Sequence, residues 1–267
     1  MLSVSNITVE IKSFTILRGV SIEVADGEIV ALVGRNGAGK TTTLKSVMGL
    51  IPVSDGEIRL QSDDLLALPG HQRAPLGVGY MPEERRLIGS LSVQDNIMMP
   101  AWACKMDGAD KRLEYIYKLM PEISPFTSRR ASMLSGGQQK MVALARALMS
   151  GNKILLLDEP FEGLAPALRE KFGETIQRLK GEGVTILLAE SDTTSIGFVE
   201  KTYTIERGQN VDNVETWYSL HPWAKQTGVV IPNSANDTTE IIWYHCERNL
   251  GDTEDAAIQK LWTSGCN

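Results

Sequence analysis

The sequence predicts an α/β domain on a largely parallel sheet, with an N-terminal antiparallel β subdomain and a helical insertion subdomain. Three observations carry this. Short apolar runs recur that suit strands covered on both faces, helical stretches separate them, and the apolar pattern changes from alternating to continuous near Glu28.

Ile7, Val9 and Ile11, then Val20, Ile22 and Val24, alternate with polar residues around Gly19 and Asp26-Gly27, the pattern of a β-hairpin or small antiparallel sheet. Glu28 to Val33 reads as a central strand, and Gly34 to Gly39 leads from it into a helix over Lys40 to Leu50. Lys153 to Leu157, ending in Asp158-Glu159-Pro160, and Val184 to Ala189 are further strands of that kind, with a helix from about Pro166 to Lys180 between them. From about residue 83 to 133 the strand signal is lost. Helices are expected there over Val93 to Lys105 and Ala109 to Met120, with breaks at Pro121, Ser124 and Pro125. Met98, Met99 and Trp102 fall at near-helical spacing and read as core.

The chain has 267 residues, of which 42% are hydrophobic, enough for a sizeable core; disordered and fibrous classes are excluded. Its 27 Lys and Arg against 33 Asp and Glu, a net charge of -6, argue against a surface dedicated to nucleic acid. There is no apolar run of membrane-spanning length and no basic-apolar leader, so a cytoplasmic protein is expected, with any membrane spans supplied by other subunits. Cys104, Cys246 and Cys266 are odd in number and far apart, which suits a reducing compartment.

Gly34-Arg35-Asn36-Gly37-Ala38-Gly39-Lys40-Thr41 fits G-x-x-x-x-G-K-[ST] in full and lies between a strand and a helix start. Small residues let successive N–H groups curl around a β-phosphate, the helix N-terminus adds positive partial charge, Lys40 bridges the β- and γ-phosphates, and Thr41 offers a hydroxyl to Mg²⁺. The apolar strand before Asp158 brings that carboxylate to the sheet end, where it can hold Mg²⁺ through water. Glu159 then stands where it can polarise the attacking water.

Leu134-Ser135-Gly136-Gly137-Gln138-Gln139-Lys140 resembles the signature motif of the ATP-binding cassette (ABC) ATPases, and the resemblance runs from about residue 2 to Gly208. Gly79-Tyr80-Met81-Pro82-Glu83-Glu84-Arg85-Arg86 and Phe161-Glu162-Gly163-Leu164-Ala165-Pro166 are similar to the versions in branched-chain amino-acid importers and their urea or short-amide relatives. The resemblance implies a P-loop NTPase core that binds ATP and Mg²⁺. Gly34 to Thr42 would hold the nucleotide, Thr41, Asp158 and Glu83 the metal, and Glu159 would be the catalytic base. Ser135, Gly136, Gly137 and Gln138 would act on the nucleotide of a second ATPase subunit, homo- or heterodimeric. Further implied partners are two transmembrane permease subunits and, indirectly, a substrate-binding protein, placing the chain on the inner face of the cell membrane.

Three positions depart from the family pattern. Glu83 stands where a glutamine is usual, Ile11 where an aromatic stacks on adenine, with Phe14 as a nearby alternative, and Ser191 where a switch histidine meets the γ-phosphate. Ser191 offers one hydrogen bond and no charge, so slow basal hydrolysis is expected. Arg85, Arg86, Arg129 and Arg130 read as solvated surface charges, with contact to a membrane subunit as the alternative. Two other classes stay open: a soluble ABC ATPase, and a slow or non-hydrolysing ATP-dependent dimerisation switch.

The 1–208 nucleotide-binding domain is followed by a different kind of sequence, 209–267, with four of the five Trp and eight acids against three basic residues. His221, His245, Cys246 and Cys266 lack paired zinc spacing. A regulatory extension, a partner-binding arm and a segment with little selected structure all remain open. Its polar, acidic composition predicts that truncation after Asn213 leaves ATP binding and the main thermal transition nearly intact. Limited proteolysis tests this: protection through to Trp262, or loss of ATP binding on truncation, would make the tail integral.

Overall fold

The computed structural model describes residues 1–211; the expectations for the tail beyond them, its tryptophans and its His and Cys residues included, lie outside the described residues. Strands β1 (Leu2–Ile11) and β2 (Phe14–Val24) form the expected hairpin, and β4 (Asp55–Leu60) and β5 (Asp63–Asp64) extend it to a four-stranded antiparallel sheet, ordered β2-β1-β4-β5.

The second sheet has six strands: β3 (Ile29–Val33), β6 (Val78–Met81), β7 (Ile154–Asp158), β8 (Thr185–Glu190), β9 (Lys201–Glu206) and β10 (Gln209–Val211). Their order is β10-β9-β3-β8-β7-β6, and every pairing is parallel except β9 with β10. Because β10 pairs with β9, the sheet continues three residues past Gly208, the boundary expected from sequence.

Alternation along the central strands feeds two cores. Val30, Leu32, Ile154, Leu156 and Leu187 point to the antiparallel sheet and α1 (Lys40–Met48). Ile29, Ala31, Leu155, Leu157, Ile186 and Leu188 point to the opposite layer, built from α3 (Val93–Cys104), α4 (Ala109–Leu119), α5 (Gly136–Ser150) and α6 (Pro166–Gly181). Burial on both faces is why these strands are continuous apolar runs in the sequence. A short α2 (Gly70–Arg73) brings Arg73 under α1, where its Nη1 donates to the carbonyls of Ser46 and Val47 at 2.7 and 2.8 Å and caps that helix.

Between β6 and β7 the chain forms helices joined by loops and turns and no strand, with one isolated bridge, Ser92 to Arg130. Ser92 and Asp95 form a capping box at the start of α3. Met98 is in the core, but Trp102 is 54% exposed. The face of α3 that carries Val93, Ile97 and Ala101 is the buried one, and residue 102 lies about 100° round the helix from Ala101.

The β9–β10 turn locks the two sheets to the loop before α1. Gly208 N–H donates to Ala38 O at 2.9 Å and Gly208 O accepts from Arg18 N–H at 2.7 Å. Gly208 has φ +81°, and a Cβ there would sit 1.9 Å from Ile16 O, whereas Gly183, with φ +76°, faces open space. Gly208→Ala should therefore lower stability by more than about 2 kcal/mol and Gly183→Ala by only about 1 kcal/mol. Equal shifts in chemical denaturation would show that the close approach at Gly208 carries no weight.

Candidate functional site

The site forms at the carboxyl ends of β3, β7 and β8. The loop Gly34 to Gly39 leaves β3 with Gly34 N–H donating to Glu190 O at 3.2 Å. A Cβ on Gly34 would meet Ile205 O at 2.3 Å, so only glycine lets the loop pass this close to β9. Gly39, with φ +115°, is the N-cap of α1 and no side chain caps that first turn, which leaves its N–H groups to a ligand.

Lys40 is 4% exposed and its Nζ sits in a cage of oxygens: Gly34 O at 2.7 Å, Arg35 O at 3.3 Å and Glu159 Oε1 at 3.1 Å. Glu159 is also buried and adopts a left-handed backbone, φ 45°, with its N–H on Ala189 O at 2.9 Å. Ser191 Oγ lies 3.0 Å from both Glu159 Oε1 and Asn36 Oδ1. The serine at the switch position thus bridges the loop and the acid.

Asp158, 1% exposed, has a hydroxyl on each carboxylate oxygen: Thr41 Oγ1 donates to Oδ1 at 3.0 Å and the Tyr80 hydroxyl donates to Oδ2 at 3.1 Å. Burial pushes its pKa up, opposed by those two hydrogen bonds. Glu83 is exposed and lines, with Thr41, Lys45, Tyr80 and Asp158, a cleft of about 340 Å³ that runs between the sheet and the helical layer. Among the described residues no group of three or more His, Cys, Asp or Glu side chains is arranged to hold a metal ion by itself. Mg²⁺ does not need one, since it is commonly held by one or two carboxylates together with phosphate oxygens and water. The hard oxygens of Thr41, Asp158 and Glu83 around one cleft fit that requirement, and the open helix start beside Lys40 fits a polyphosphate.

The start of α5 is the second anion-friendly element. Ser135 is its N-cap, in a reciprocal capping box with Gln138, and a Cβ on Gly137 would lie 1.8 Å from Leu168 Cδ2, so α6 packs against this turn. Ile11 and Phe14 face each other in register beside the Lys12-Ser13 turn that closes the β1–β2 hairpin, 39% and 73% exposed. Nothing in the described contacts joins either of them to the loop.

Several participants escaped the sequence reading. Lys140, buried on α5, donates to the carbonyls of Glu159 (2.7 Å), Pro160 (3.3 Å) and Glu162, holding the turn after β7. Arg85 is half-buried rather than a solvated charge, and donates to Gly136 O and Gln139 Oε1 at 3.3 and 3.2 Å. Arg146 donates to the carbonyls of Arg85 and Arg86, which both have positive φ. Tyr80, within the Gly79 to Arg86 segment, and Glu190, beside Ser191, received no role from the sequence.

Such a loop, helix start, acidic strand end and oxygen-lined cleft define a P-loop nucleotide hydrolase. A family model described as ABC transporter matches residues 17–162. The chain is 36% identical over 212 residues to the high-affinity branched-chain amino acid transport ATP-binding protein BraG of Pseudomonas aeruginosa, covering 79% of this chain and 91% of that one. It is 35% identical over 210 residues to the lipopolysaccharide export system ATP-binding protein LptB of Escherichia coli, covering 78% and 87%. A dimeric bacterial ABC transporter cassette superposes with a TM-score of 0.71 at 26% identity, covering 79% of this chain and 96% of that one. The same cassette bound to ADP and Pi after hydrolysis scores 0.69 at 25% identity, with the same coverage. The chain belongs to the ABC transporter ATPase family and is an ATP-binding ATP hydrolase. Among the described residues no helix is long and apolar enough to cross a membrane.

Glu190, at the end of β8, accepts Phe161 N–H on Oε1 at 3.0 Å, and burial pushes its pKa up to about 7, with Glu159 and Asp192 adding to the rise and Lys140 opposing it. The folded-state value lies above the ordinary 4.5, so folding takes up a proton across that window and the group's contribution to stability falls as pH rises through it. Glu190→Gln keeps an acceptor for Phe161 and cannot ionise. Its Tm relative to wild type should therefore rise between mildly acidic and mildly alkaline pH; parallel Tm profiles would refute the assignment.

Proposed function

We propose that this chain is the energy-supplying subunit of an importer for branched-chain amino acids or a related small solute. The supporting observation is the 36% identity to BraG along 212 residues. The identity to LptB supports a second reading, an export system of similar construction. In either reading two ATPase subunits meet head to tail, each supplying Ser135 to Gln138 to the other's nucleotide. The ATPase pair docks, on the inner face of the cell membrane, against two transmembrane permease subunits, and in the importer a substrate-binding protein delivers the solute. Pull-down from membranes with the partners identified by mass spectrometry separates the readings: amino-acid permeases support the first, lipopolysaccharide-export components the second.

The hydrolytic roles are assigned on the same basis. Backbone N–H groups of Arg35 to Thr42 and Lys40 Nζ bind the β- and γ-phosphates, and Lys40 exchanges its carbonyl and carboxylate contacts for phosphate oxygens. Thr41, Asp158 and Glu83 hold Mg²⁺, which supplies charge neutralisation on the phosphates. Glu159 takes a proton from water as its oxygen bonds to the γ-phosphorus and the bond to the β–γ bridging oxygen breaks, leaving ADP with that electron pair. Ser191 orients the Glu159 carboxylate. Ile11, with Phe14 beside it, covers the base.

Glu159→Gln should leave ATP binding intact and slow turnover by about a hundredfold or more. Lys40→Ala should weaken binding itself, and Ser191→Ala should cost less than about tenfold, the scale of one neutral hydrogen bond. Nucleotide binding and single-turnover hydrolysis measure all three; near-normal hydrolysis by Glu159→Gln would remove that residue from the role of base.

A further inference from the structure

We infer that Tyr80 is a positioning residue for the divalent cation: its hydroxyl fixes the rotation of the Asp158 carboxylate and thereby sets the oxygen presented beside Thr41. This rests on the cation reading given above. The placement follows from strand register. Tyr80 on β6 lies opposite Leu156 on β7, and Asp158 is two residues further along β7, on the same face as Leu156. The phenol ring reaches forward over that interval and ends 3.1 Å from Asp158 Oδ2.

Asp158 is almost wholly buried, so its carboxylate depends on donors within the protein. It has two from side chains, Thr41 on Oδ1 and Tyr80 on Oδ2. Thr41 is the residue whose hydroxyl the cation reading assigns to the metal, and a hydroxyl turned so that its oxygen faces a cation no longer donates to Oδ1. Tyr80 is then the side-chain donor that remains, and it holds Oδ2 while leaving Oδ1 to face the metal. The same ring lines the cleft beside Glu83 and Lys45, so Tyr80 joins the cleft wall to the metal side of the site.

The test uses the full chain, with Mn²⁺ as a paramagnetic substitute for Mg²⁺ and a saturating non-hydrolysable ATP analogue. Free Mn²⁺ is counted by electron paramagnetic resonance, and analogue binding is measured separately in EDTA. Tyr80→Phe should weaken Mn²⁺ about tenfold or more, leave metal-free analogue binding unchanged, and raise the Mg²⁺ needed for half-maximal turnover while kcat recovers at high Mg²⁺. Asp158→Asn should weaken Mn²⁺ further. If Asp158→Asn weakens Mn²⁺ and Tyr80→Phe does not, the role of Tyr80 is overturned while the cation reading stands. If neither variant changes Mn²⁺ affinity, the cation reading fails and the inference with it. A parallel loss of metal-free analogue binding in Tyr80→Phe would mark a packing defect and also overturn the positioning role.

Discussion

The arrangement of the whole site depends on one requirement: Lys40 and Glu159 are both buried charges, and neither is tolerable alone. Removing one partner of a buried pair leaves an uncompensated charge whose cost outweighs most single packing contacts. The pair at 3.1 Å, with two loop carbonyls completing the shell of Lys40, joins the loop after β3 to the turn after β7 without any ligand. Ser191 and Asn36 extend that junction to the end of β8. The three strand ends that carry the site residues are thus already held in one place.

Helix α5 spreads the same constraint into the helical layer. Its N-terminus carries Ser135, its second turn places Lys140 on the carbonyls after Glu159, and its third sends Arg146 to the carbonyls of Arg85 and Arg86. At its far end Arg112 from α4 donates to Leu148 O and Gly151 O. One mostly buried rod therefore touches the signature turn, the acidic strand end and the loop beside Glu83. Two consecutive left-handed non-glycine residues at Arg85 and Arg86 are costly, and the Arg146 guanidinium offsets that cost through their carbonyls.

Much of this was legible in the sequence because the decisive elements are the extreme ones. Strands buried on both faces leave continuous apolar runs, so Ile29–Val33, Ile154–Asp158 and Thr185–Glu190 stand out, and the phosphate loop has a spacing that little else produces. The strands that were passed over are those without such a run. Around β6 the glycines Gly77 and Gly79 interrupt the apolar pattern because a side chain at either would strike Asn152 or Ala147, and β9 has only one fully buried residue, Ile205. Tyr80 was unreadable for a different reason: its partner is 78 residues away and is specified only by the register of β6 on β7. Arg85 and Lys140 look like ordinary surface charges in a string of letters, and only the packed helix start reveals the carbonyls they serve.

The cage around Lys40 bears on which anions can enter. A lone orthophosphate would have to separate the lysine from a carboxylate and two carbonyls using its own contacts alone. A chain of phosphates threads along several loop amides at once and brings its own counter-ion to the Asp158 side, so the displaced contacts are recovered in many small steps. Any anion that engages Lys40 therefore exchanges oxygens that the fold already supplies, and the loop holds its shape before a ligand arrives.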